Sequence, residues 1–528
     1  MQGGSRRDRE LLDAGELAGH LVPEGSVFAF LAAHRRELFP DSFTADLFTS
    51  STGRPSLPAD LVGSVLVLQG LHDLSDGQAA DALKFDIRWK VACGRSLTQM
   101  SFDPSTLVYW RRRIANSSRP DRVFDAVAQV IAATGILAGR RRRVIDSTVI
   151  DDAVATQDTV SQLTAAIRRV ARVVPGAGEV IAGACKLDYS RPGKPVIDWD
   201  DPQAKENLVS DLVNDALAVL AGLAGPGSPQ REDAQADALG LLALVAGQDV
   251  EPAEDSDGTD GRWRIARKVA PDRVISTVDP QARHTRKSKS ARRDGFRAHL
   301  AAEPGSGLIT GCELTMAAGE GSSDAENGVR LTAADRFSGS GQEQPAGLEV
   351  YGDSHYGSGQ ARADYQAAGH DTVIKPIPLR PAVPGGYTID DFTLDEQQGT
   401  LTCPAGHTRP LSSKRYVTFG AVCAGCPLRQ RCTTAKDGRC LDVHPHESLL
   451  RAARAQARTQ AFKRAYPTRA VIERIIAWTA TSSGRRIRLR YLGTARNNAW
   501  LRNRCAAINL RTLVNAGLTR SAGTWAIT

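Results

Sequence analysis

Three carboxylates stand where a carboxylate is locally out of place. Asp146 lies inside the β-branched run RVIDSTVID, and Asp353 closes the run GLEVYGD. Acidic side chains are disfavoured within strands, an objection that disappears at a strand end or beside a metal ion. Glu473, in YPTRAVIERIIAWTA, is the one acidic residue between Ser448 and Thr528, a segment with sixteen Lys and Arg. Carboxylates on adjoining strands and a helix can hold two divalent cations, about 3.5–4 Å apart in such sites. Mg²⁺ uses few carboxylates and leaves positions for phosphate oxygens. A tail that binds phosphate and keeps one acid for metal accounts for the isolation of Glu473. The plain alternative is an Arg469–Glu473 pair four apart on a helix, worth about 0.2–0.5 kcal/mol, with Arg first the weaker orientation. Spacing alone does not select these three from the 59 acidic residues.

A second group is sulfur. Five of nine cysteines fall between Cys403 and Cys440, and Cys403, Cys423, Cys426 and Cys432 read C-x19-C-x2-C-x5-C. Four thiolates with one tight C-x2-C arm match a structural zinc site with no open position for chemistry. His407 or Cys440 as a ligand, and reduced cysteines without metal, remain alternatives. The N-terminal MQGGSRRDRELLDAGE has no apolar core, so export is not expected and metal is favoured over disulfides. Cys93, Cys185, Cys312 and Cys505 stand singly and read as buried apolar side chains.

The elements that must carry these groups follow from pattern. At 528 residues, 41% hydrophobic and 24% charged, the chain has the makeup of a globular protein of several units. Its apolar runs fall short of the roughly 20 residues that cross a bilayer. Residues 1–130 read as helical: SLPADLVGSVLVLQGL with Ser56 as a cap, LSDGQAADALKF capped by Ser75, and FDPSTLVYWRRRIA opening at Asp103-Pro104. The last carries Arg111, Arg112 and Arg113, which suits a small DNA-binding bundle. RVIDSTVID, DRVISTVD, GFRAHLAAE, GLITGCELT and GLEVYGDSHYG read as strands. Residues 156–262 read as a helical insertion broken by AGPGSPQ and ending in a mobile acidic linker, EPAEDSDGTDG. Net charge is +8, concentrated in RRRR at 140–143, in the block 283–297 and in the C-terminal tail. Three basic blocks favour a polyanionic partner, most simply nucleic acid.

Tyr466, Arg469 and Glu473 stand as Y-x2-R-x3-E, which resembles the glutamate box of DDE transposases from bacterial insertion sequences. VIDSTVIDDAVATQDT resembles that family's first-aspartate region, with Asp146 as its match. VYGDSHYGSG is similar to the second, with Asp353 followed by the aromatic Tyr356. DPQARHTRKSKSARRDGFRAHLA resembles the basic stretch between the two, and SDGQAADALKF with SFDPSTLVYWRRR resembles the helical DNA-binding domain of one branch. One departure is Ala480, seven residues after Glu473, where the family pattern has Lys or Arg; Arg485 or Arg486 would have to replace that contact.

The resemblance implies an α/β chain with an RNase H-like mixed-sheet catalytic core, residues 140–155 and 263–395. Around it are the helical domain (1–130), the helical insertion (156–262), a zinc-knuckle-like insertion (396–447) and a basic helical C-terminal part (448–528) carrying Glu473. It implies two Mg²⁺ or Mn²⁺ ions held by Asp146, Asp353 and Glu473, with Tyr466 and Arg469 on end-proximal phosphates. The partners implied are the element's terminal repeats and target DNA, bound by a homodimer in the cytoplasm at the nucleoid, with no membrane. A remnant that binds DNA without cutting, and a nuclease without strand transfer, are the alternatives.

Overall fold

The computed structural model describes residues 1–4, 12–48, 50, 52–224, 232–268, 270, 272–286, 292–337 and 347–528. Much of AGPGSPQ and the centre of the basic block 283–297 therefore lie outside the described residues.

The N-terminal segment is helical. Helix α1 (Ala59–His72) is apolar all round and buried from Ala59 to Gly70, as a helix with no polar face must be. It starts at Pro58 without a side-chain cap, so Ser56 does not serve as one. Ser75 does cap the following helix, Asp76–Phe85, in a reciprocal capping box with Gln78. Helix α2 (Ser105–Ala115) opens with the Asp103 carboxylate accepting from the Ser105 amide at 2.9 Å.

Strands β1 (Arg142–Asp151), β2 (Arg292–Ala302), β3 (Ile309–Met316), β4 (Glu349–Gly352) and β5 (Asp371–Ile374) form a mixed sheet in the order β3-β2-β1-β4-β5. β1 is antiparallel to β2 and parallel to β4, and β4 is parallel to β5. A sixth short strand, Arg283–Arg286, pairs with the start of β2. Parallel neighbours need crossovers; helix α3 (Asp324–Ala333) lies between β3 and β4, and helix α4 (Gly359–Ala367) between β4 and β5. DRVISTVD forms no strand. Its backbone is satisfied by glutamine side chains instead: Gln162 donates to the Val274 carbonyl, and Gln248 and Gln157 accept from Val274 and Thr277.

Two insertions keep cores of their own. Between β1 and β2, Leu163, Ile167, Leu212, Val213 and Leu242 join the helices Thr159–Val173, Pro202–Leu223 and Asp233–Gln248. The acidic stretch expected as a mobile linker is a β-hairpin loop, with Val250–Pro252 paired to Trp263–Ile265. Its Asp257 and Asp260 accept from amides two residues on, which makes turns rather than a free linker. The cysteine-rich insertion combines a three-stranded and a two-stranded sheet over Phe392, Leu401, Val417 and Phe419.

The C-terminal part ties the molecule together. After the helices Glu447–Arg458 and Gln460–Ala465, the chain tightens into a 3-10 turn at Tyr466–Ala470, then continues as helix α5 (Val471–Ala480) and helix α6 (Thr494–Asn515). Tyr466 and Glu473 thus lie on two successive elements, not one helix; Pro467, which has no N–H to donate, sits at the start of the turn. Helix α6 packs on α1 so closely that a Cβ on Gly70 would stand 3.1 Å from the Asn503 carbonyl. Leu68, Trp110, Phe296 and Leu510 accordingly belong to one continuous core. No helix among the described residues is long and apolar enough to cross a membrane.

The basic blocks are corrected in part by their partners. Arg140 pairs with Glu303, and the wholly buried Arg143 holds Asp335 at 2.6 and 3.1 Å. The C-terminal arginines find acids far away in sequence: Arg454 with Asp390, Arg490 with Asp73, Arg502 with Asp121, Arg520 with Glu37; Arg454 also holds the nearby Glu447. Much of the apparent polyanion-binding charge is internal counter-charge.

Candidate active site

The central strand β1 carries Asp146, side chain 15% exposed, with one carboxylate oxygen fixed by the Ser147 amide at 2.8 Å. Asp353 follows β4 directly and caps the 3-10 turn Ser354–Tyr356, accepting from the His355 amide at 2.9 Å. The turn is tight: a Cβ on Gly352 would come within 3.0 Å of Tyr356. Glu473 sits in the first turn of α5, where the helix dipole favours a negative charge; its side chain is 70% exposed.

These three acids, from β1, the end of β4 and α5, converge on one cation. The Arg469 guanidinium stands 2.9 Å from Asp146 Oδ2, 4.0 Å from Asp353 Oδ2 and 3.8 Å from Glu473 Oε1. The local Arg469–Glu473 pair exists, but the shortest contact reaches Asp146, far away in sequence. Burial pushes the Asp146 carboxyl up to about 6; the Ser147 amide and Arg469 pull it down, while Asp353 and Asp324 push it further up. Tyr466 stacks on Phe462 at 5.2 Å, and its hydroxyl is raised chiefly by burial, with Arg469 opposing and Asp353 and Asp146 adding to it.

Beneath Asp146 lies a polar layer that sequence reasoning missed. His299 on β2 is fully buried, 3.5 Å from Asp324, and burial lowers it to about 4. Asp324 is held by Arg297 at 2.8 Å. No motif marks these residues; they meet because Arg297 and His299, two apart on β2, share the face on which the first turn of α3 sets Asp324.

Among the cations expected on DNA, Arg111 and Arg113 are engaged internally. Arg111 forks onto Asp76, and Arg113 donates to the Leu47 carbonyl and lies over Phe48. Arg112 is exposed on α2. Arg485 and Arg486 are exposed on the short hairpin that follows α5, directly after Ala480 ends that helix.

Cys403, Cys423, Cys426 and Cys432 line one cavity of about 20 Å³, and His407 shares it. Cys440 is exposed elsewhere, 3.6 Å from the Thr418 hydroxyl. Burial raises the Cys432 thiol, opposed by Arg439 and reinforced by the other three sulfurs. None of the nine cysteines is disulfide-bonded. Among the described residues no group of three or more His, Cys, Asp or Glu is drawn closely enough together to hold a metal ion. The thiols surround a shared space, and the three acids surround a guanidinium.

Residues 402–514, which include Tyr466, Arg469, Glu473 and the four cysteines, match the family model described as Transposase DDE domain. Residues 19–113 match the one described as Transposase domain (DUF772). Both matched segments are similar to transposase families, which is consistent with a DDE transposase of an insertion element. Asp146 and Asp353 lie outside both matched transposase segments, so their pairing with Glu473 rests on the geometry. No curated protein and no solved structure matches the chain.

Proposed function

We propose that this protein cuts DNA at the ends of an insertion element and joins them to target DNA, with Asp146, Asp353 and Glu473 holding two Mg²⁺ or Mn²⁺ ions. The observation that carries this reading is the convergence of the three acids on Arg469, a stand-in cation. The sheet order, with Asp146 on the central strand and Asp353 just past its parallel neighbour, supports an RNase H-like core. Such ions, when bound, activate the attacking oxygen and neutralise charge at the phosphorus.

The chain's own groups supply position. Backbone amides fix one oxygen each of Asp146 and Asp353, so both carboxylates are set before DNA arrives. Glu473 is exposed and adjusts to the bound DNA. Arg469 and Tyr466 hold phosphates beside the scissile bond, and Arg485 and Arg486 take the role that Ala480 leaves open. Arg112 adds a contact from the helical segment. The four cysteines would hold a structural Zn²⁺ if drawn together around the shared cavity, and the protein works as a homodimer on paired ends, at the nucleoid in the cytoplasm. Ala480 favours a second reading, cutting without joining or binding without cutting.

The test is DNA carrying the element's own ends, incubated with Mg²⁺ or Mn²⁺ and either wild type or Glu473→Gln. Cleavage by wild type alone supports the reading, and joined products separate a transposase from a nuclease. Equal cleavage by both proteins excludes Glu473 as a metal ligand. Arg469→Ala should weaken cleavage more than DNA affinity, since many cations share the binding.

A further inference from the structure

Arg469 makes an unusual set of contacts for an arginine among acids. A structural arginine frequently grips one carboxylate with two N–H donors in a fork, as Arg454 does with Asp390. Arg469 makes one hydrogen bond, to Asp146 at 2.9 Å, and meets Asp353 and Glu473 only at 4.0 and 3.8 Å. Its Nε is buried with no partner. The side chain is thus held by the summed charge of three carboxylates rather than by geometry. It also stands within 4.0 Å of all three carboxylates, and among the described residues no three such groups lie close enough to hold a metal ion.

Resting on the reading of these acids as metal ligands, we propose that Arg469 is an exchangeable counter-ion that keeps divalent metal out of the free protein and leaves for a DNA phosphate, so that metal and DNA load together. A divalent ion entering beside the guanidinium meets like charge at short range. A phosphate offers Arg469 the two-pronged partner that it lacks here, since a guanidinium fork matches phosphate oxygens. Transfer of the guanidinium to phosphate uncovers Asp146, Asp353 and Glu473 together, which confines the metal-loaded site to the DNA complex.

The test is Mn²⁺ binding to the full chain, read from the electron paramagnetic resonance signal of free Mn²⁺, with and without a short DNA duplex. Free Arg469→Gln should bind Mn²⁺ about tenfold more tightly than free wild type, a coupling of ordinary size, and Asp146→Asn in that background should abolish the gain. Duplex should tighten Mn²⁺ binding by wild type and leave Arg469→Gln nearly unchanged. Arg469→Lys, which keeps the charge and loses the fork, should exclude Mn²⁺ in the free protein and respond less to duplex. Mn²⁺ should also raise the melting temperature of Arg469→Gln more than that of wild type. If Arg469→Gln binds no more tightly while the wild-type duplex complex binds Mn²⁺ through Asp146, the counter-ion role fails and the proposed function stands. If no form binds Mn²⁺ even with duplex, both fail.

Discussion

Arg454 and Arg469 lie fifteen residues apart on the same cationic tail, and each sits among carboxylates, yet they are built for opposite ends. Arg454 is 10% exposed, forks onto Asp390 at 2.6–2.9 Å and also bonds Glu447, itself only 4% exposed. Arg469 holds three acids with a single hydrogen bond, and one of those acids is largely in solvent. The first arrangement is closed: every charge has a directional partner out of water. The second is open, and its cation can be exchanged. Proximity of opposite charges is common to both; the number of directed bonds and the exposure of the acids distinguish a structural clamp from a site.

The comparison breaks most readily at Arg454. Arg454→Met strips buried Glu447 of its hydrogen-bonded cation, leaving Arg451 at 3.6 Å. It should cost about 3 kcal/mol, the low end for breaking a buried pair, whereas Arg469→Gln should cost about 1 kcal/mol, an ordinary substitution. Denaturant unfolding of the two variants measures this, and equal losses would erase the distinction.

A pH series sharpens it. The Asp146 carboxyl is raised in the folded state from 3.8 to about 6, so the folded state holds that proton more tightly than the unfolded chain. Its contribution to stability is complete below about pH 4 and is lost as pH rises through about 6. The loss amounts to about 3 kcal/mol at most. Metal-free wild type should therefore fall in melting temperature relative to Asp146→Asn between those pH values, and parallel curves would show that burial does not govern this acid.

The cysteine cluster is a third case, four sulfurs around a shared space that Arg429 and Arg439 also line. Cys423→Ser and Cys426→Ser should each lose a few kcal/mol of stability, as loss of a metal does, and release zinc on purification. Unchanged melting together with no zinc by elemental analysis would remove the metal from the account.

The smallest effects separate neighbours on α2. Arg112→Ala should weaken duplex binding by a few-fold with stability unchanged within about 0.5 kcal/mol. Arg111→Ala should instead cost about 1 kcal/mol by breaking a partly buried pair with Asp76. Fluorescence anisotropy with labelled duplex, alongside thermal melting, reads both; the reverse pattern would reassign the face of α2 that meets DNA.

The sequence by itself determined what repeats or caps locally: the β-branched strand around Asp146, the apolar helix Ala59–His72, the Ser75 capping box, and the close spacing of Tyr466, Arg469 and Glu473. These are legible because strands, helices and caps are written in residues a few positions apart. It misread the acidic hairpin as a linker and DRVISTVD as a strand, since the partners of both came from elsewhere in the chain. It also counted arginines without their acids, because an ion pair has no sequence period. Only the tertiary structure decided that Arg143 answers Asp335, Arg454 answers Asp390, and Arg469 stands between Asp146, Asp353 and Glu473. Charge acts through distance in space, and the sheet and helix α5 set that distance.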